Sequence, residues 1–162
     1  VSWNALAQHH AGIVALLTAE SEVGRALLTG KSHQADALLR PWRAIFDRYL
    51  GIAVTSHLEK SKLSLTTAKA ARLLSWSREA SLPVVLTNAV RYASPDQAKV
   101  ADLLDSARLL VPLNSRHIVG NSSQGFLKDA EQMHHVAREI CHQAGERDAY
   151  KLMRDTQHLA QY

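Results

Sequence analysis

Three short apolar runs constrain the fold of this chain most strongly. They lie at residues 12–18, 50–56 and 82–87, and each is continuous rather than alternating, which is typical of strands that are covered on both faces. The intervening residues 35–46 and 68–80 repeat apolar side chains at helical spacing. Strands that alternate with helices of crossover length predict an α/β fold with a parallel sheet. Because three strands make a small sheet for such apolar faces, we expect a larger barrel or sheet, or a partner at the exposed edge.

Several local signals set the helix boundaries. Pro41 lies within the first helical pattern and predicts a kink or a break there. Ser94 and Pro95 form a helix start, with the serine as N-cap and the proline at the first helical position. Residues 111–124 are loop-like, and two further helical patterns follow residue 125, the last from about Asp148.

The composition excludes several classes of protein. At 162 residues, with 46% hydrophobic and 21% charged residues, the chain has the size and balance of one globular domain. No apolar run approaches the roughly 20 residues that cross a bilayer, and no signal peptide is evident. The single cysteine, Cys141, suits a reducing compartment. We therefore expect a cytoplasmic protein without a membrane partner. A formal net charge of +4 is too small to establish a nucleic-acid partner by itself.

Candidate site residues follow the predicted strands, because ligands of parallel sheets bind at the carboxyl ends of the strands. Glu20 follows the first strand, His57 follows the second, and residues 87–91 follow the third. His57 is the strongest candidate as a metal ligand or acid–base group, with a structural histidine as an equal alternative. Glu20 is a candidate ligand or base, or a carboxylate at the start of the next helix.

Other candidates are weaker. The adjacent pairs His9–His10 and His134–His135 point in different directions on a helix and chelate poorly. Cys141 lies on an apolar stripe, which predicts a core residue. The sequence contains no glycine-rich phosphate loop, no Cys-x-x-Cys pair and no carboxylate cluster typical of a two-metal nuclease. The chain alone therefore does not have the pattern of a complete enzyme.

Residues 82–96, LPVVLTNAVRYASPD, followed by ADLLD at residues 101–105, resemble the PHP domain of bacterial C-family DNA polymerases. This family comprises the DNA polymerase III alpha subunits and their error-prone relatives, and it typically reads Pro-Val-Val-Ala-Thr-Asn-Asp-Val-His-Tyr. Residues 126–133, FLKDAEQM, are similar to the family element Tyr-Leu-Lys-Ser-Pro-Glu-Glu-Met. The likeness covers nearly the whole chain, includes residues 11–18 and 25–30, and is loose between residues 31 and 80.

The resemblance implies a PHP-type (TIM-like) β/α barrel with parallel strands, in which residues 1–118 are the carboxyl-terminal part of the PHP domain. Residues 119–162 would be a mostly helical linker toward the polymerase palm. The Asp and His of the family's Asn-Asp-x-His are metal ligands, and after Asn88 these positions are Ala89 and Arg91.

Alanine offers no donor atom and arginine is a permanent cation, so the resemblance implies a degenerate metal site with His57 as the last ligand. A salt bridge from Arg91 to Glu20 is our hypothesis for what replaces the metal cluster.

The function implied is structural: a non-catalytic part of a DNA polymerase that acts in replication or translesion repair. The parent enzyme would use Mg²⁺ and contact DNA and accessory subunits, whereas this chain would need no cofactor. Two alternatives stand beside it. One is a PHP-type metal-dependent phosphoesterase or proofreading exonuclease that uses His57, and the other is a free-standing α/β binding module.

Overall fold

A parallel sheet of three strands lies at the centre of the fold. The computed structural model describes residues 2–59, 65–114 and 122–161. Strands β1 (Ala15–Leu17), β2 (Leu50–Thr55) and β3 (Val84–Thr87) are hydrogen-bonded in the order β1-β2-β3, all parallel. The sequence prediction of an α/β fold with a parallel sheet is therefore confirmed, and the described residues show this small sheet rather than a complete barrel.

Seven α-helices surround the sheet in the part of the chain that the structure describes. Side-chain caps start several of them, since Ser2, Ser21, Thr66, Asp129 and Asp148 each accept a hydrogen bond from a backbone N–H in the first turn. The helices are α1 (Trp3–His9), α2 (Glu22–Leu28), α3 (Ser32–Phe46), α4 (Thr67–Glu79), α5 (Ala98–Leu109), α6 (Ala130–Ala144) and α7 (Ala149–Leu159).

The first strand differs from its prediction. The apolar run at 12–18 predicts a strand covered on both faces, but β1 has only three residues and Leu16 is 40% exposed. The physical reason is its position, because β1 is hydrogen-bonded to β2 on one side only. By contrast, the first five residues of β2 and the first three of β3 are buried, as predicted for covered strands.

Pro41 does not break α3, which runs without interruption from Ser32 to Phe46. Of the expected kink or break, the break does not occur. Contacts with other elements hold the residue that follows the proline: the Trp42 ring packs edge-on against that of Trp3, 5.0 Å between centroids, and its indole N–H donates to Glu22 at 2.6 Å. Such tertiary contacts offset the loss of one backbone hydrogen bond at the proline.

The last two helices belong to the same core as the sheet. Val136 and Ile140 of α6 and Leu152 of α7 are fully buried in one cluster with residues of β2 and β3. The helices expected after residue 125 are thus confirmed. The predicted boundary between residues 118 and 119 falls outside the described residues.

The helix start at Ser94 is confirmed and positions α5. Ser94 and Gln97 form a capping box around a 3₁₀ turn, Pro95–Gln97, which leads into α5. The helix attaches through small buried residues, Ala98, Ala101 and Ser106, and ends at Leu110 in a left-handed conformation. Its larger apolar side chains remain exposed.

Candidate functional site at the strand ends

The carboxyl ends of β2 and β3 lie side by side and bring two predicted site residues together. Thr55 and Thr87 are register partners, with their hydroxyl oxygens 2.9 Å apart. Two residues after Thr55, His57 is buried, and its Nε2 donates to the backbone carbonyl of Asn88 at 2.9 Å. The parallel register of the two strands is what places residues 31 positions apart in direct contact.

This hydrogen bond sets the tautomer of His57. A carbonyl oxygen only accepts, so Nε2 carries the proton, and in the neutral ring the available lone pair lies on Nδ1. The His57 backbone N–H donates to the carbonyl of Leu65 at 2.7 Å, which holds the main chain at this position. The buried histidine therefore connects the two strand ends.

The side chain of Asn88 continues the connection beyond β3. Its Nδ2 donates to the carbonyl of Gln124 at 2.8 Å and to the carbonyl of Phe126 at 2.7 Å. The main chain follows the same path, because Arg91 N–H donates to the carbonyl of Gly125 at 2.8 Å and Tyr92 pairs with Phe126 in a parallel bridge. Residues 124–127 thus cover the open side of the strand end.

A lysine that the sequence analysis did not select lies beside Asn88. The Lys128 ammonium donates to the carbonyl of Gln124 and to Asn88 Oδ1, the latter at 3.4 Å. It also lies 4.1 Å from the centroid of the Phe126 ring. Burial lowers the pKa of Lys128. Lys128 and Asn88 are 40 positions apart, so no local pattern predicted their contact.

Arg91 forms a two-pronged ion pair with Asp105 of α5, at 2.9 Å and 3.0 Å. Hydrogen bonding to Asp105 raises the pKa of Arg91. The hypothesis that Glu20 is the partner is therefore wrong. Glu20 follows β1 and Arg91 follows β3, and β2 separates these two strands, which places their ends roughly 10 Å apart.

Glu20 itself is exposed and does not cap the next helix, because Ser21 accepts the hydrogen bond from Gly24 N–H. The carboxyl end of β1 thus adds no group to the connection between His57 and Asn88. At the carboxyl end of β3, Ala89 adopts φ 46°, and its methyl group has no atom that could bind a metal.

The strand ends do not fit a metal cluster. Within residues 2–59, 65–114 and 122–161, no three His, Cys, Asp or Glu side chains could hold one metal ion. His134, one member of the rejected pairs, packs its ring 4.3 Å from that of Tyr150. Cys141 is buried as predicted, and burial raises the pKa of its thiol to about 11. Arg91 occupies a position where the resemblance expects a metal ligand, and the Lys128 ammonium lies 3.4 Å from the neighbouring Asn88 Oδ1.

Comparison with known proteins finds similarity to a bacterial DNA polymerase subunit over half of the chain. Over 85 residues, 50% of this chain, it is 36% identical to the DNA polymerase III subunit alpha of Pseudomonas aeruginosa. The aligned stretch spans 7% of that relative's length. No family model matches the chain.

None of the described helices combines the length and the apolar composition that a bilayer-spanning helix requires.

Proposed function

We propose that this chain is the carboxyl-terminal part of a PHP-type barrel in a bacterial DNA polymerase III alpha subunit or an error-prone relative. Its metal site has been lost, and its role is structural. The observation that carries the proposal is the two-pronged pair between Arg91 and Asp105. This pair lies at the strand end where the resemblance expects the Asp and His ligands of a metal cluster.

The physical argument concerns charge at the strand end. A guanidinium at position 91 repels a divalent cation, and the pair occupies both oxygens of the Asp105 carboxylate. The Lys128 ammonium adds a second positive charge next to Asn88 Oδ1. His57 directs a proton, rather than a lone pair, at the neighbouring carbonyl. Protein cations and hydrogen bonds therefore take the stabilising role that metal ions have elsewhere in the family.

Nucleotide transfer belongs, in this proposal, to the rest of the longer polymerase. Its palm carboxylates and two Mg²⁺ ions would join a deoxynucleotide to the primer 3′ end. DNA and accessory subunits would be partners of the whole cytoplasmic enzyme. The described part of this chain would form part of the barrel in that polymerase, stabilised by the hydrogen bonds at its strand ends.

Metal analysis tests the loss of the site. The purified chain is incubated with Mn²⁺ or Zn²⁺, dialysed and measured by elemental mass spectrometry, with His57→Ala as the matched variant. We expect the same trace metal content in both proteins and no Mn²⁺-dependent nuclease activity. Stoichiometric metal that disappears in His57→Ala would support the phosphoesterase or exonuclease alternative instead.

The gene itself tests the polymerase assignment. We expect the reading frame to encode a His-x-His motif upstream of these 162 residues and the palm aspartates downstream. A short reading frame without either motif would contradict the assignment and favour the free-standing binding module.

A further inference from the structure

Helix α5 carries its large apolar side chains on the outside. Val100, Leu103 and Leu104 are 54%, 53% and 64% exposed, and Ala107 is exposed as well. These four residues, the α5 stripe, follow the spacing i, i+3, i+4, i+7 of a single helix face. The buried residues of the helix are the small Ala98, Ala101 and Ser106. The arrangement is therefore the reverse of an ordinary surface helix.

Positive side chains flank the α5 stripe on both sides. At 100° per residue, Lys99 lies on one side of the stripe and Arg108 on the other. Arg108 is 76% exposed and only loosely paired, 3.7 Å from Asp105. The acidic residues Asp102 and Asp105 lie on the opposite side of the helix, and Asp105 is engaged by Arg91. An approaching partner thus meets an apolar strip between two cations.

We infer that the α5 stripe is a docking surface for an amphipathic helix of another protein whose apolar face has acidic flanks. Leucine-type anchors at i, i+3, i+4 and i+7 are the usual means by which two helices recognise each other. Glutamate or aspartate beside those anchors would pair with Lys99 and Arg108 and direct the approach. The inference rests on α5 alone and goes beyond the function proposed for the strand ends.

The charges disfavour two other occupants. In a pair formed by two copies of α5, neither copy would offer a carboxylate beside the α5 stripe, because Asp102 and Asp105 lie on the opposite side of the helix, so Lys99 and Arg108 would gain no acidic partner across the contact. A membrane surface attracts helices with a net positive charge. Helix α5 has none, because Lys99 and Arg108 are balanced by Asp102 and Asp105.

Peptide binding tests the inference. Two labelled helical peptides of about 18 residues share the same leucine anchors, one with glutamate flanks and one with lysine flanks. Fluorescence anisotropy with the 162-residue chain is expected to show binding of the acidic peptide, weaker at high salt. The lysine-flanked peptide should bind at least about tenfold more weakly.

Variants locate the surface. Leu104→Glu should weaken the acidic peptide about tenfold or more, whereas Ile13→Glu, an equally apolar exposed position before β1, should not change binding. The double variant Lys99→Glu with Arg108→Glu should reverse the preference between the two peptides. Circular dichroism checks that each variant is folded, which is expected because these side chains are exposed.

Three results would overturn the inference. One is equal or absent binding of the two peptides. Another is self-association in sedimentation experiments that Leu104→Glu abolishes, which would identify a second copy as the occupant. The third is binding to anionic phospholipid vesicles that Leu104→Glu abolishes, which would identify a membrane surface.

Discussion

At the residue scale, α2 begins very close to the end of β1. A Cβ atom on Gly24 would lie 2.2 Å from the carbonyl oxygen of Thr18, a backbone atom that cannot turn away. Gly24→Ala should therefore lower the free energy of unfolding by about 2 kcal/mol, despite the better helix propensity of alanine. Urea denaturation measures the change. Arg25→Ala, exposed in the same helix, should change it by less than about 0.5 kcal/mol, and equal stability of Gly24→Ala would contradict the close approach.

Asn88 carries the connection between β3 and residues 124–126. Asn88→Ala removes two partly buried hydrogen bonds and takes this donor from the carbonyl of Phe126, whereas the carbonyl of Gln124 keeps Lys128 as a donor. We expect a loss of about 2 to 3 kcal/mol in the free energy of unfolding. Gln124→Ala is the matched control, since it keeps the backbone carbonyl that Asn88 binds. Equal destabilisation by the two variants would contradict the proposed role of the Asn88 side chain.

The buried thiol of Cys141 makes stability depend on alkaline pH. Burial raises its pKa from 9.0 to about 11, so the folded protein holds the proton more tightly than the unfolded chain. The sign follows from linkage: the contribution is complete below pH 9.0 and is lost as the pH rises through about 11. Urea denaturation at several pH values should show a steeper alkaline decline for the parent than for Cys141→Ala. Parallel declines would contradict the shift.

At the element scale, α7 is attached to β3 by one polar contact. The N–H of Leu86 in β3 donates to Thr156 Oγ1 at 2.9 Å, and this hydroxyl donates to the carbonyl of Leu152 at 2.8 Å. Thr156→Val keeps the shape but leaves the Leu86 N–H unpaired, so we expect a loss of about 1 to 3 kcal/mol. Thr156→Ser, which keeps the hydroxyl, should cost less in urea denaturation. The reverse order would indicate that packing of the methyl group dominates.

Helical periodicity predicted where the main helices lie, because the apolar side chains of α4, α6 and α7 point to one core. The same rule was insufficient at two elements. The continuity of α3 through Pro41 depends on the contacts of Trp42 with Trp3 and Glu22, and the exposure of Leu16 depends on the position of β1 at the edge of the sheet in the described residues. Both properties come from residues distant in sequence, and local patterns do not contain them.

At the scale of the whole molecule, the C-terminal helices are part of the core rather than an attachment. Removal of residues 130–162 takes away the buried side chains of Val136, Ile140 and Leu152. We expect this truncated chain to lose its cooperative unfolding transition, as followed by circular dichroism. Removal of residues 1–10, where α1 has no buried residue, should leave the transition cooperative. A cooperative transition in the first truncation would contradict the shared core.

The candidate site was partly predictable. Parallel strands predict that His57 and Asn88 lie at the same edge, and the structure brings them into contact. The sequence also identified Arg91 as a residue in need of a carboxylate, but assigned it to Glu20 instead of Asp105. Any carboxylate near the strand ends could neutralise Arg91, so charge alone does not select between Glu20 and Asp105. The position of α5, which brings Asp105 to Arg91, selects the partner.

The sequence by itself determined the three parallel strands, the helices between them, and the absence of side-chain atoms that could bind a metal at Ala89 and Arg91. Each of these depends on residue type and local spacing. The tertiary structure decided which groups meet: Arg91 with Asp105, and Lys128 with Asn88. It also decided that the apolar face of α5 points outward. The physical reason is that contacts between distant residues depend on the paths by which helices and loops return to the sheet. Sequences with the same local pattern can follow different paths.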